Sequence, residues 1–148
     1  MNPYELLIIG IKQLHELVSE VTQPTDKDDI PENYVFLLFM IYRKGKVKTI
    51  ELSSYFSITP GAATAIADKL EKLELINRNR DLKDRRIIHI ELTEKGLKYV
   101  EQRKQEHIAL FQTILQDYSE EELEAAVQIL SKLSGSIASY QQSGGILQ

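Results

Sequence analysis

Between Thr49 and Leu92 the apolar residues change their spacing, from helix-like steps of three and four to strand-like alternation, and this fixes an order of elements. Thr49 is placed to cap a short helix containing Ile50, Leu52, Tyr55 and Phe56. After Ser57-Ile58, Thr59 and Pro60 offer a second start: a capping hydroxyl, then a residue whose missing N–H has no partner in a first turn anyway. The helix that follows carries Ala63, Ile66, Ala67, Leu70 and Leu73 on one face. Its opposite face is small and polar, with Gly61, Ala62, Thr64, Ala65, Asp68 and Lys69. Two short helices joined by about three residues form a helix-turn-helix candidate, whose second helix suits a major groove. Two β-like runs come next, Leu75 to Arg80 and Arg86 to Leu92, with Ile88, Ile90 and Leu92 alternating on one face. Helix, turn, helix, hairpin, in that order, make a winged helix.

The hairpin concentrates charge. Arg78, Arg80, Lys83, Arg85 and Arg86 place five cations within nine residues. Like charges this close repel unless a polyanion neutralises them. Phosphates line both sides of a minor groove, so a tip arginine can enter it while its neighbours pair with the backbone. Asp84, beside Arg85 and Arg86, is placed to hold an arginine extended by a charge-assisted hydrogen bond. A salt-bridged, solvated loop is the alternative. The whole chain has a net charge of −4, which conceals an asymmetry. Residues 40–104 carry 15 Lys+Arg and 9 Asp+Glu, a balance of +6, whereas the remainder stands at −10. A basic middle meets a polyanion while acidic ends assemble away from it.

Those ends read as helices. Tyr4, Leu7, Ile8, Ile11, Leu14, Val18 and Val21 form one apolar face of a long first helix, followed by a polar loop from Gln23 to Asp29. Pro31 suits the first turn of a second helix through Tyr34, Phe36, Leu37, Leu38, Met40 and Ile41, apolar nearly all round and therefore buried, with Gly45 as its C-terminal cap. Beyond the hairpin, Thr93 caps a helix running to about Gln116. Ser119 with Glu122 forms a capping box opening a last helix, striped by Leu123, Val127, Leu130, Leu133 and Ile137. The tail Ser143-Gly144-Gly145 reads as frayed. A lone winged helix is too small to cover three long amphipathic helices, and pairing two chains about a two-fold axis buries them. The expected fold is therefore mainly α with a small β-hairpin wing: a winged helix-turn-helix lobe at 31–93, with dimerisation helices at 1–30 and 94–148. Tyr4, Leu7, Ile8, Ile11, Leu14, Leu123, Val127, Leu130 and Ile137 are the expected dimer contacts.

Other classes are excluded or weakened. The chain has no cysteine, which removes disulfides, thiolate nucleophiles and Cys-based zinc sites. It shows no glycine-rich phosphate loop and no His/Glu cluster at catalytic spacing, so neither an enzyme nor a cofactor is expected. His15, His89 and His107 are scattered, and a structural or surface role fits them better than a metal site. Tyr34, Tyr42 and Tyr55 fit packing better than an effector pocket. Glu5 and Lys12 interrupt the first apolar stretch, which reads as an amphipathic helix and not a signal peptide. No run approaches the ~18 apolar residues of a membrane span. The expected compartment is the cytoplasm.

The run Thr49-x-x-Leu52, Ile58-Thr59-Pro60, Ala63-Thr64, Asp68-Lys69-Leu70-Glu71-Lys72-Leu73, Leu75-Ile76-x-Arg78, Asp84-Arg85-Arg86 and Leu92-Thr93-Glu94-Lys95-Gly96 resembles the multiple antibiotic resistance regulator (MarR) family. The resemblance implies a two-fold dimer with first, fifth and sixth helices interwoven and two lobes on adjacent turns of duplex DNA. It also implies a transcription regulator, usually a repressor, that a small and often aromatic anion releases from DNA. The recognition helix then corresponds to residues 59–69 and the wing arginine to Arg86, with Asp84 orienting it. On this reading the DNA contacts are Thr59, Pro60, Gly61, Ala62, Thr64, Ala65, Lys69, Arg78, Arg80, Lys83, Asp84, Arg85 and Arg86.

Two positions depart from the family. Many relatives have arginine where this chain has Ala65, so direct base readout is modest and DNA shape and the wing carry more of the specificity. Many have a helix-ending glycine where this chain has Glu74, so the helix end either avoids the left-handed conformation or tolerates it at a cost. The rival to DNA binding is a winged-helix module that binds protein, which predicts that neutralising the wing leaves function intact.

Overall fold

The computed structural model describes residues 1–23, 30–56 and 58–144. Most of the loop read at Gln23 to Asp29, the turn residue Ser57 and the tail from Gly145 lie outside them. The elements run α1 (Pro3–Val21), α2 (Glu32–Lys44), β1 (Lys46–Lys48), α3 (Thr49–Phe56), α4 (Pro60–Lys72), β2 (Ile76–Arg80), β3 (Ile88–Leu92), α5 (Glu94–Ile114) and α6 (Glu120–Gln142). The architecture is a winged helix with long helices at both ends of the chain.

Local chemistry sets most of the boundaries. Thr59 Oγ1 accepts from the Ala62 N–H at the start of α4, with Pro60 in the first turn. Ser119 and Glu122 complete a reciprocal capping box on α6. Gly45 ends α2 at φ +83°, a conformation a glycine adopts without penalty. Pro31 stands at the N-cap of α2, one position before its first turn. Thr49 does not cap α3: it is the first helical residue, its hydroxyl donates to the Ile88 carbonyl, and the Lys48 N–H is met by Glu51 Oε2. α2 is less buried than its composition implies, since Phe36 is more than half exposed.

The short strand β1 is an element that sequence periodicity does not reveal. The sheet has the order β1-β3-β2, all antiparallel, with Val47 opposite Ile90 and Arg78 opposite the same Ile90 from the other side. Its inner face joins a core made by Leu37, Leu38 and Ile41 of α2, Leu52 of α3, Ala67 and Leu70 of α4, and Val100 of α5. The apolar stripe read on α4 is the buried one, with Ala63, Ala67 and Leu70 buried and Ile66 and Leu73 packed at the edge.

The sequence Leu92-Thr93-Glu94-Lys95-Gly96 ties α4 to the sheet and to α5. Thr93 Oγ1 accepts from the Gly96 N–H and donates to the Glu74 carbonyl, and Lys95 Nζ donates to the Leu73 carbonyl at 3.1 Å. These bonds satisfy carbonyls that the end of α4 leaves without helical partners. Gly96 lies so close that a Cβ there would stand 2.0 Å from the Leu75 carbonyl oxygen. Glu74 adopts the left-handed conformation at φ 61°, so of the two outcomes open for this position the strained one is realised.

By internal contacts the chain divides into Met1–His107 and Ile108–Gln148, so α1 and most of α5 group with the lobe. Within the first unit the buried Arg103 of α5 donates to the Thr22 carbonyl at the end of α1 and to Glu106. Among the described residues of α1 and α6, none is buried. No described helix is long and apolar enough to cross a membrane.

Candidate nucleic-acid interface

α4 presents a low, small-residue surface to solvent. Thr59, Pro60, Gly61, Ala62, Thr64 and Ala65 are all exposed, near the amino end where unpaired N–H groups and the helix dipole favour an anion. Thr64 Oγ1 donates to the Pro60 carbonyl at 2.9 Å, which leaves its lone pairs outward. Lys69, further along, lies over the Tyr34 ring with its ammonium 5.4 Å from the centroid.

The structure separates Arg78 from the other wing cations. Its Nε and Nη2 donate to the two Glu71 carboxylate oxygens at 3.0 and 3.1 Å, and Nη2 also reaches Asp68 Oδ1 at 2.6 Å. The side chain is only 23% exposed. Its hydrogen bonds hold the Glu71 carboxyl below the usual carboxylate range, and the two carboxylates in turn raise the arginine. Strand alternation contains the signal, because Ile76 and Arg78 share a face of β2 and Ile76 is buried. Asp68 and Glu71, three apart on α4, are neighbours on that helix surface.

The wing tip is organised by two aspartates. Asp81 Oδ2 accepts from the backbone N–H of Lys83 and of Asp84, and Asp81 Oδ1 lies 3.1 Å from His89 Nε2. Those contacts, the Asp84 N–H foremost and the imidazole second, lower the Asp81 carboxyl. Asp84 takes Arg86 in a fork: Nε on Oδ1 and Nη2 on Oδ2, both at 3.1 Å, with the Arg86 backbone N–H on Oδ1 as well. The Arg86 side-chain bonds are the main cause lowering Asp84, followed by its backbone N–H. The Arg86 side chain is nonetheless 90% exposed. An ion pair this exposed contributes little to folding, so its effect is to fix a pose. Arg80 Nη1 donates to the Arg85 carbonyl at 2.8 Å, while Lys83 and Arg85 extend from the tip with Leu82, itself 97% exposed.

Between wing and helix lies a mostly apolar cleft of about 520 Å³, bounded by Ile50 and Ser53 of α3, Pro60 and Thr64 of α4, and Arg86 and Ile88 of the wing. Lys48 and Thr49 line it too. β1 therefore brings Lys48 beside the α4 start and Arg86, a placement that sequence reasoning missed. The basic run Arg43, Lys44, Lys46 and Lys48 was its only signal.

The remaining candidates lie apart from this surface. Tyr42 donates to Glu101, which raises its phenol, and Lys104 stands over its ring at 5.6 Å. The side chain of Tyr55 is outside the described residues. His89 belongs to the wing tip, and His107 stacks on Phe39 with ring centroids 5.8 Å apart. Tyr4, Leu7, Ile8, Ile11 and Leu14 of α1 and Leu123, Val127, Leu130 and Ile137 of α6 are exposed in the single chain.

Known proteins place this arrangement. The MarR family model matches residues 30–88. The HTH-type transcriptional repressor MdtR of Bacillus subtilis is 30% identical over 115 residues, covering 78% of this chain and 74% of the relative. The chain belongs to the MarR family. Among solved structures, Streptococcus pneumoniae FabT in complex with DNA matches with a TM-score of 0.74 at 24% identity, covering 92% of this chain and 98% of FabT. The YusO protein of Bacillus subtilis matches with a TM-score of 0.61 at 27% identity, covering 90% of this chain and 99% of YusO. In the structure Asp84 and Arg86 stand together at the wing, and Arg78 stands apart from them.

Proposed function

We propose that this MarR-family transcriptional regulator is a cytoplasmic repressor that binds an inverted-repeat operator as a two-fold dimer, each lobe laying α4 in a major groove and its wing along the adjacent minor groove. The observation that carries this reading is the forked Asp84–Arg86 pair, which fixes the pose of an almost fully exposed arginine on a cationic hairpin. Fixing the side chain beforehand lowers the ordering cost of inserting it between phosphate walls. Arg80, Lys83, Arg85 and Lys48 supply phosphate contacts around it, and Thr59 to Ala65 dock a small-residue face against bases. Lys69 reaches phosphate by leaving the Tyr34 ring. The apolar stripes of α1 and α6, unburied within one chain, supply the dimer contacts. That FabT was solved on DNA supports the same reading.

Release by a small effector fits the cleft beside Arg86. Its lining is mostly apolar, with two cations at its rim, which suits an aromatic carboxylate or phenolate. An anion there would compete with DNA for Arg86.

Selection of duplexes from a random pool tests the proposal. An inverted repeat with half-sites about 10 base pairs apart is expected. On that duplex, Arg86→Ala costs ~1–3 kcal/mol and reduces the salt slope by about one. Equal affinity of wild type and Arg86→Ala rejects the minor-groove assignment, and absence of any enriched duplex favours a protein partner.

A further inference from the structure

We infer that Arg78 is a positioning residue that masks the two carboxylates of the recognition helix, preventing Asp68 and Glu71 from repelling the phosphates α4 must approach. The inference rests on the DNA-binding reading above. Asp68 shares the outward face of α4 with Gly61, Ala62, Thr64 and Ala65, and its side chain is 58% exposed; that of Glu71 is 45% exposed. Both stand in the second half of α4, where the helix dipole already disfavours negative charge, so helix stability does not account for them. Arg78 meets both at 2.6 to 3.1 Å through Nε and Nη2, and its side chain is only 23% exposed, so much of its hydrogen-bonding capacity is already committed to them. The planar fork spans two carboxylates at once, which a lysine ammonium on the same strand does not reproduce. The cluster then has one net negative charge instead of two, and that charge is drawn toward β2.

The pool-selected duplex measures the effect with four proteins: wild type, Arg78→Gln, Asp68→Asn/Glu71→Gln, and the triple variant. Arg78→Gln uncovers the carboxylates and is expected to weaken binding about tenfold, since like charges brought together at an interface are costly. Removing the same carboxylates in the triple variant is expected to restore affinity to within about twofold of wild type, because the repulsion has no source left. A triple variant as weak as Arg78→Gln overturns the inference. In that event a salt slope lower by about one identifies a direct phosphate contact. An unchanged slope with equally lowered melting temperatures identifies a brace alone. If Arg78→Gln does not fold, Asp68→Asn/Glu71→Gln decides: binding at least as tight as wild type supports masking, and weaker binding overturns it. Failure of the DNA-binding reading is separately visible, as wild type selecting no duplex at all.

Discussion

The outward face of α4 and the tip of the β2–β3 hairpin belong to one lobe but are built on different principles. On α4 the exposed residues near its start are small, Gly61, Ala62, Thr64 and Ala65. Of its later charges, Asp68 and Glu71 are engaged by Arg78 and Lys69 rests on Tyr34. At the tip, Lys83, Arg85 and Arg86 extend into solvent on a turn fixed by Asp81 and Asp84. The helix thus offers shape with its charge internally balanced, and the wing offers charge with its shape internally fixed. On the DNA-binding reading proposed above, such a surface would depend on groove form and phosphate spacing more than on base edges. The comparison can be broken at the junction both regions share, at the helix, or at the tip.

The largest effect is expected at the junction. Gly96→Ala puts a methyl group 2.0 Å from the Leu75 carbonyl oxygen, a backbone atom that follows α4 directly and precedes β2. Relief requires α5 to move from the α4–β2 connection, at a cost of ~2–4 kcal/mol by the scale of overpacking and strain. Thermal or urea unfolding reads this directly. An unchanged midpoint would mean that helix and wing do not share a rigid footing.

A second change tests whether the helix is bland because of its residues. Ala65→Arg adds a cation to the exposed face of α4 without disturbing the core. Binding to the selected duplex is expected to tighten by about 1 kcal/mol, with a salt slope steeper by about 0.9. No change in slope would show that position 65 faces away from the duplex, and the contrast between helix and wing would need another cause.

Much of this was legible in advance because it is local. Thr59 with Ala62, Ser119 with Glu122, and Asp84 with Arg86 each act over two or three residues, so spacing alone exposes them. The interactions that were not legible join distant segments. β1 is three residues long and exists through its pairing with β3, more than forty positions away. Thr49 looks like a cap until that pairing brings the Ile88 carbonyl within reach of its hydroxyl. Alternation along β2 puts Arg78 on the face of Ile76, but its carboxylate partners appear only when β2 is laid on α4. Exposure along α1 and α6 is a related case: periodicity finds an apolar stripe, but a single chain does not show what covers it.

Smaller effects are expected where the helix ends. Glu74 holds φ 61°, and a glycine adopts that conformation without the steric penalty of a Cβ. Glu74→Gly is therefore expected to stabilise the lobe by roughly 0.5–1 kcal/mol, the relief being partly offset by greater freedom of the unfolded chain. The distant Glu74–Lys95 pair, 3.9 Å apart and exposed, gives up little when it is removed. A lowered melting temperature would show that the Glu74 side chain supports the α4 end in a way its backbone conformation does not reveal.

The smallest expected effect concerns the tip and is a matter of pH. The Arg86 fork, and then the Arg86 backbone N–H, lower the Asp84 carboxyl relative to its unfolded value. A group lowered in this way stabilises the folded tip at pH values above its unfolded pKa, and the contribution disappears as pH falls through the lower folded value. The wing arginine should therefore keep its pose throughout the neutral range and lose it only under acid conditions. Carboxyl NMR titration of Asp84 is expected to place its midpoint lower in wild type than in Arg86→Ala, where the backbone contact persists but the fork is gone. Identical midpoints would mean that the side-chain pair does not order the tip in solution. The contrast between a fixed, charged wing and a charge-balanced helix would then lose its first half.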